Sequence, residues 1–191
     1  MQKKILVING HPYEKSYVSE LFKTYVEHLS PDKFQIQTLA LGKMGFDPVL
    51  RFGYAKKIAE NKDIKLSQEL VAWSEHIVFF YPVWWASMPG LLKGWIDRVL
   101  TPGFAYNMNG LKTVKHLKGR TAQLFLTSDG PAIYQRWIPN SPIRLMKQHI
   151  LGFCGIKVVK TDILGMMSSP GRENARRKFV EKVARSASEL K

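Results

Sequence analysis

The chain has 191 residues, 45% of them hydrophobic, and 29 basic against 15 acidic side chains leave a net charge of +14. That length supports one full hydrophobic core, so residues 1–191 are expected to form one domain. The single cysteine, Cys154, excludes an internal disulfide and any cysteine metal cluster, and its Gly-Phe-Cys-Gly setting reads as inert core.

The first apolar run is too short for a secretory leader. The run through 79–92 is broken by two prolines and cannot span a bilayer as one helix, so the chain reads as cytoplasmic, with no membrane span. The positive charge suits an anionic partner such as a phosphorylated cofactor. No nucleic-acid-binding motif accompanies it.

In chain order, 5–9 is a continuous apolar strand. Residues 16–29 repeat apolar side chains at helical spacing, from Tyr17 and Val18 through Leu21, Phe22 and Tyr25. Strand 34–39 alternates Phe-Gln-Ile-Gln. A looser segment, 42–61, leads to a helix over 63–75 and a third strand over 77–81. A helix over 89–100, with Pro89 in its first turn, is followed by a long loop, 101–119. The fourth strand is 121–127, and a second loop, 128–142, precedes a helix over 143–153. The fifth strand is 156–164, and a last helix begins at Ser169-Pro170.

Strands alternating with helices imply a parallel sheet covered on both faces. The first, third and fourth strands are almost wholly apolar, as central strands are. Gln35 and Gln37 mark the second as an edge, and Lys157, Lys160 and Asp162 mark the fifth. The expected architecture is therefore an α/β, flavodoxin-like three-layer sandwich with a five-stranded parallel sheet of order 2-1-3-4-5. Its ligand crevice lies beyond the carboxyl ends of strands one and three.

Three loops reach that crevice. The first, His11-Pro12-Tyr13-Glu14-Lys15-Ser16, opens a helix whose free amides suit a phosphate; Ser16 either binds the anion or caps the helix. No glycine-rich G-x-G-x-x-G is present, which argues against a nicotinamide Rossmann site. The second, Pro82-Val83-Trp84-Trp85, sets two indoles at a strand end, as a protein holding a flavin ring would. In extended backbone the two would point to opposite sides, one inward and one into the crevice. The amides of Val83 to Trp85 are expected to be free for ring heteroatoms. The third, Thr127-Ser128-Asp129-Gly130, offers hydroxyls and the Gly130 amide to a polar ring edge, or is simply a β-turn. Tyr134 follows as a hydrogen-bond or proton donor, and Tyr106 lies in the long loop beside Phe104 and Ala105. His28, His76 and His116 have no partner at metal-ligand spacing, so no metal site is expected; only His149 is retained as a further candidate.

His11-Pro12 with Ser16, the Pro82-Val83-Trp84-Trp85 turn, the string from Met88 to Val99 that includes Leu92-Lys93-Gly94-Trp95, Gly103-Phe104-Ala105-Tyr106 and Thr127-Ser128-Asp129-Gly130 resemble the flavodoxin-like NAD(P)H:quinone oxidoreductases, in order and over nearly the whole chain. The resemblance extends to the smaller bacterial members, among them ancillary subunits of glutathione-gated potassium efflux systems. It implies a non-covalent flavin, FMN for so short a chain with FAD as the alternative. It also implies NAD(P)H as electron donor and a quinone or similar flat acceptor. By the same resemblance, His11, Ser16, Tyr17 and Val18 hold the phosphate end, and Pro82, Val83, Trp84 and Trp85 line the ring. Thr127, Ser128 and Gly130 hold its pyrimidine side. The site would lie at a homodimer interface, with Tyr106 over the ring, from the partner chain, and Tyr134 beside it. Two departures stand out: Asp129 where the family often has glycine, and no histidine in the 137–140 stretch after Tyr134. An electron-carrier flavodoxin and a regulatory ancillary subunit are the alternatives.

Overall fold

The computed structural model describes residues 2–56, 60–137 and 141–191. The elements are β1 (Lys3–Asn9), α1 (Tyr17–Glu27), β2 (Phe34–Ala40), α2 (Lys62–Trp73), β3 (His76–Pro82), α3 (Gly90–Val99), β4 (Tyr106–Asn109), β5 (Lys112–Lys115), β6 (Thr121–Thr127), α4 (Ala132–Trp137), α5 (Pro142–Arg144), α6 (Gly152–Cys154), β7 (Lys157–Leu164) and α7 (Glu173–Ser188). A π-helical turn, Leu145–Leu151, joins α5 to α6.

The main sheet runs β2-β1-β3-β6-β7 with every pairing parallel. This is the expected 2-1-3-4-5 order, because β4 and β5 form a separate antiparallel hairpin. Alternate residues of the central strands enter opposite layers. Ile5, Val7, Val78, Phe80 and Phe125 pack under α1 and α7, where Phe80 and Phe125 stack at 4.8 Å. Leu6, Ile8, Ile77, Phe79, Tyr81, Leu124 and Leu126 pack on the other face with α2 and α3. There Trp95, fully buried, satisfies its indole N–H on Ser67 Oγ at 3.0 Å. Cys154 is buried in the same layer, and burial pushes its thiol up to about 11, which keeps it protonated and unreactive.

Three loop expectations are corrected. The long loop 101–119 contains the β4–β5 hairpin. The loop 128–142 contains α4. The last helix starts at Glu173, not at Ser169-Pro170. Its approach is a series of turns tied to the third loop: Met166 N–H donates to Gly130 O, Met167 N–H to Ser128 O, and Ser168 N–H to Asp129 Oδ1. Met166 and Gly171 both take positive φ in making that connection. No helix of the described residues is long and apolar enough to cross a membrane.

Two buried features generate tests. A Cβ on Gly94, inside α3, would sit 2.4 Å from both the Cβ and the carbonyl oxygen of Pro48. Gly94→Ala must therefore push the 47–50 segment off the helix, and is expected to lower unfolding free energy by about 1–3 kcal/mol in urea titrations. His76, at the start of β3, is buried with Nδ1 2.7 Å from Thr121 Oγ1 and no partner for Nε2. Burial, reinforced by the Lys3 charge, lowers its pKa to about 4. An unfolded histidine titrates near 6.5, so between those values the unfolded chain binds more protons and stability falls as pH falls; above about 7 the group contributes nothing. His76→Gln is expected to shrink the loss of stability between pH 7 and 4.5 by roughly 2–3 kcal/mol. An unchanged loss would contradict the assignment of His76 as a buried neutral imidazole.

Candidate active site

The β1–α1, β3–α3 and β6–α4 connections all emerge at the carboxyl end of the sheet, on adjacent strands. The first two are joined by the sheet itself: Asn9 pairs with Phe80, and Gly10 N–H donates to Phe80 O at 2.8 Å. Above that bond the His11 ring meets Trp84 edge to face, with centroids 5.4 Å apart and planes at 76°.

The first loop is built around two buried polar residues. Asn9 Oδ1 accepts His11 N–H at 3.1 Å, and Asn9 Nδ2 donates to Ser19 Oγ at 2.9 Å. Ser19 Oγ gives its own proton to Tyr13 O at 3.0 Å. In the 2.9 Å contact between Ser16 and Ser19, Ser16 is therefore the donor. Ser16 also caps α1 by accepting Ser19 N–H at 3.1 Å. Both readings of Ser16 hold together: its oxygen caps the helix while its proton can turn to an anion. The Tyr17 and Val18 amides, the first two of α1, have no partner among the described residues. Their side chains serve the core instead. Val18 is buried, and the Tyr17 hydroxyl donates to Arg176 O at 2.7 Å, so these two residues reach the crevice only through backbone. Tyr13 N–H donates to His11 Nδ1 at 2.9 Å, which leaves the neutral ring's proton on Nε2; burial holds its pKa below the ordinary histidine value. The loop is clamped from beneath by Gly42, where a Cβ would lie 2.3 Å from Pro12 O.

The second loop departs from extended backbone. Trp84 and Ser87 exchange both backbone hydrogen bonds, at 3.0 and 2.9 Å, around a two-residue turn. Trp85 and Ala86 occupy its corners at φ 50° and 55°, a conformation that L side chains rarely adopt outside functional sites. Neither tryptophan packs inward. Trp84 is 44% exposed, against His11, and Trp85 is fully exposed. The amides expected to be free are in part engaged: Val83 N–H donates to Thr127 O at 2.7 Å and Trp84 N–H to Ser87 O. Among the described residues, the amides of this turn without a partner are those of Trp85 and Ala86. Pro82 is buried under the turn and Val83 is half-buried.

The third loop is tied on all sides. Thr127 and Ser128 are buried. Ser128 N–H donates to Leu164 O, and Ser128 Oγ accepts both Gly130 N–H at 3.1 Å and Gln135 Nε2 at 3.2 Å. The Gly130 amide, expected to face a ligand, is thus committed to Ser128. Asp129 braces Ser168, which accounts for a carboxylate at this position. Tyr134 stands exposed on α4, its ring open to solvent. Residues 138–140 of the stretch that lacks a histidine lie outside the described residues.

Tyr106 is not brought to this crevice. It opens the hairpin and packs edge to face on Phe153 at 4.8 Å. The hairpin's base is held by Leu117 N–H on Cys154 O and Lys115 Nζ on Gly152 O, next to the amino end of β7 and so at the opposite end of the sheet. His149 is exposed on the π-helical turn. Among the described residues no cluster of His, Cys, Asp or Glu could hold a metal ion. A cavity of about 720 Å³ between α2, the end of α3 and Tyr54 shares no residue with the three loops.

Among the described residues, the groups left unpaired here are amides at a helix start, an imidazole N–H, two amides at a strained turn and an open indole, and the Ser16 hydroxyl beside them can turn from Ser19 to a ligand. That set fits a flat heteroaromatic ring carrying a phosphate. Asn9 and Ser19, which hold the first loop, Gln135, which is bonded to the third, and Ala86 in the turn are not marked by any sequence motif above.

Comparison with known proteins agrees. A family model described as the flavodoxin-like fold matches residues 3–187. The chain is 32% identical to the mouse (Mus musculus) ribosyldihydronicotinamide dehydrogenase [quinone] over 186 residues, covering 84% of this chain and 80% of that one. It is 26% identical to an uncharacterized NAD(P)H oxidoreductase of Haemophilus influenzae, covering 84% and 82%. The crystal structure of Smu.1420 from Streptococcus mutans superposes with a TM-score of 0.87 at 31% identity, covering 98% of this chain and all of the other. The NAD(P)H:quinone oxidoreductase of Methanothermobacter marburgensis shares the fold, with a TM-score of 0.82 at 24% identity and full coverage of both chains. The chain belongs to the flavodoxin-like family that includes these quinone and NAD(P)H oxidoreductases.

Proposed function

We propose that the chain is a flavin-dependent NAD(P)H oxidoreductase that reduces quinones or similar flat acceptors. The observation that carries this reading is the His11–Trp84 contact, which sets a helix start with free amides directly beside unshielded indoles. FMN is the proposed flavin, in keeping with FMN complexes among proteins of the same fold, such as an azoreductase of Bacillus anthracis at 18% identity and a TM-score of 0.70. When bound, a flavin supplies the chemistry, receiving hydride from a nicotinamide and passing both electrons to the acceptor.

The chain's own residues bind and orient. Ser16 Oγ, the Tyr17 and Val18 amides and His11 Nε2 take the phosphate. Trp85 supplies an apolar face for the ring, walled by Trp84, Val83 and Pro82. The Trp85 and Ala86 amides would offer hydrogen-bond donors to negative charge on a reduced ring. Thr127, Ser128 and Gly130 fix the far edge, and Tyr134 is the proposed proton donor toward the acceptor.

One wall is missing from the single chain, because Trp85 has nothing over it. The hairpin at the other end of the sheet exposes Met108, Leu111 and Val114 next to Tyr106. A homodimer in which each hairpin roofs the partner's crevice satisfies both surfaces at once, and places Tyr106 over the ring.

Two outcomes are expected. Trp85 contacts little of its own chain, so Trp85→Ala should leave the unfolding midpoint in place while weakening FMN binding about tenfold in fluorescence titrations. Unchanged affinity together with unchanged NADPH-dependent quinone reduction would remove the turn from the site. Sedimentation should give twice the chain mass, and Met108→Asp with Leu111→Asp should halve it and depress quinone reduction while circular dichroism stays native. A native protein that is monomeric and fully active would overturn the shared site.

A further inference from the structure

Val49, Phe52 and Tyr54 are 53%, 62% and 48% exposed, a run of large apolar side chains that the chain itself leaves uncovered. They belong to the 47–54 segment, which is strapped along α3. Pro48 fills the space over Gly94, Arg98 Nη1 donates to Asp47 O at 2.7 Å, and the Tyr54 hydroxyl donates to Asp97 O at 3.0 Å. Those anchors explain where the segment lies. They do not explain why it turns apolar side chains outward, which marks a surface that meets a partner.

Its position says which partner. α3 runs from the crevice to the hairpin: it begins just after the Trp85 turn, and its end leads through 101–105 into β4. The segment touches α3 at Gly94, Asp97 and Arg98, between those two ends. In a two-fold pair, the line from any point to its image in the partner is bisected by the axis. If each hairpin roofs the partner's crevice, the axis passes midway between a protomer's own crevice and its own hairpin. That midpoint falls along α3, where the segment lies. Charge agrees. On a chain of net charge +14, a face that meets its own copy must be locally balanced. Here Arg51 pairs with Asp47 at 2.9 Å, and Lys93 with Asp97 at 2.7 Å. The face also continues to the hairpin, since Tyr54, Thr101 and Pro102 line one cavity.

We infer that the 49–54 segment docks on the same segment of a second copy of this chain, with the two-fold axis beside α3 and Phe52 at the centre of the contact. The inference rests on the shared-crevice reading. It adds the surface that fixes the register of the two chains, and so the place where each hairpin falls.

The test uses the full-length chain. Its native thiol, Cys154, is buried, so a single cysteine introduced at the surface reports alone. Val49→Cys and Phe52→Cys are treated with a short bis-maleimide, beside Lys23→Cys on α1, in the layer across the sheet. Both are expected to give covalent chain pairs about tenfold faster than Lys23→Cys, because residues near the axis meet their own images at high effective concentration. Phe52→Glu is expected to halve the sedimenting mass while circular dichroism stays native, since Phe52 lies outside both core layers. A paired wild type in which neither cysteine outruns Lys23→Cys places the axis elsewhere and overturns the inference. Phe52→Glu that keeps the wild-type mass overturns it as well. A monomeric wild type is a different failure: it removes the shared crevice, and the inference with it.

Discussion

The site depends on one constraint, the parallel pairing of β1 with β3. A single backbone bond, Gly10 N–H to Phe80 O, finishes that ladder and fixes where both chains leave the sheet. Crowding enforces it: a Cβ on Gly10 would press on Leu92 Cδ2 at 2.9 Å and on Phe80 O at 3.2 Å. From there the chain has few options. One strand must feed α1 and the other must turn at Pro82, so a helix start and an aromatic turn become neighbours. Everything chemical in the molecule follows from the 5.4 Å contact that results.

Each of the three loops is held by groups that take no part in binding. Asn9 and Ser19 fix the first with buried hydrogen bonds. The two-residue turn of the second is closed by a pair of backbone bonds that keep Trp85 and Ala86 in a strained conformation. The third is clamped by the end of β7 and the turns that lead to α7. Preorganisation of this kind means that the entropy of ordering the site is met during folding and not during binding.

Much of this was legible in the residues. The apolar interiors of the first, third and fourth sheet strands and the polar marks on Gln35, Gln37 and Lys160 give the strand order, because burial on two faces leaves no room for charge. Ser16 and the Pro82–Trp85 run mark the crevice for similar local reasons. What was not legible arises from tertiary contact. A Trp-Ala pair carries none of the Gly or Asn that announce a left-handed turn, so the outward swing of both indoles and the shift of the free amides to Trp85 and Ala86 leave no trace in the composition. The commitment of the Gly130 amide to Ser128, and of the Tyr17 hydroxyl to Arg176, depends on segments far along the chain or on side-chain geometry. The distance of Tyr106 from its own crevice is a matter of topology that periodicity does not encode.

The proposed activity requires that the crevice take a tricyclic redox ring. The most direct measurement is the visible spectrum of the purified full-length chain after incubation with FMN and removal of excess, followed by mass identification of what acid releases. A resolved flavin spectrum with about one FMN recovered per chain is the expected result. A colourless protein that releases no flavin after incubation with FMN or FAD would contradict it.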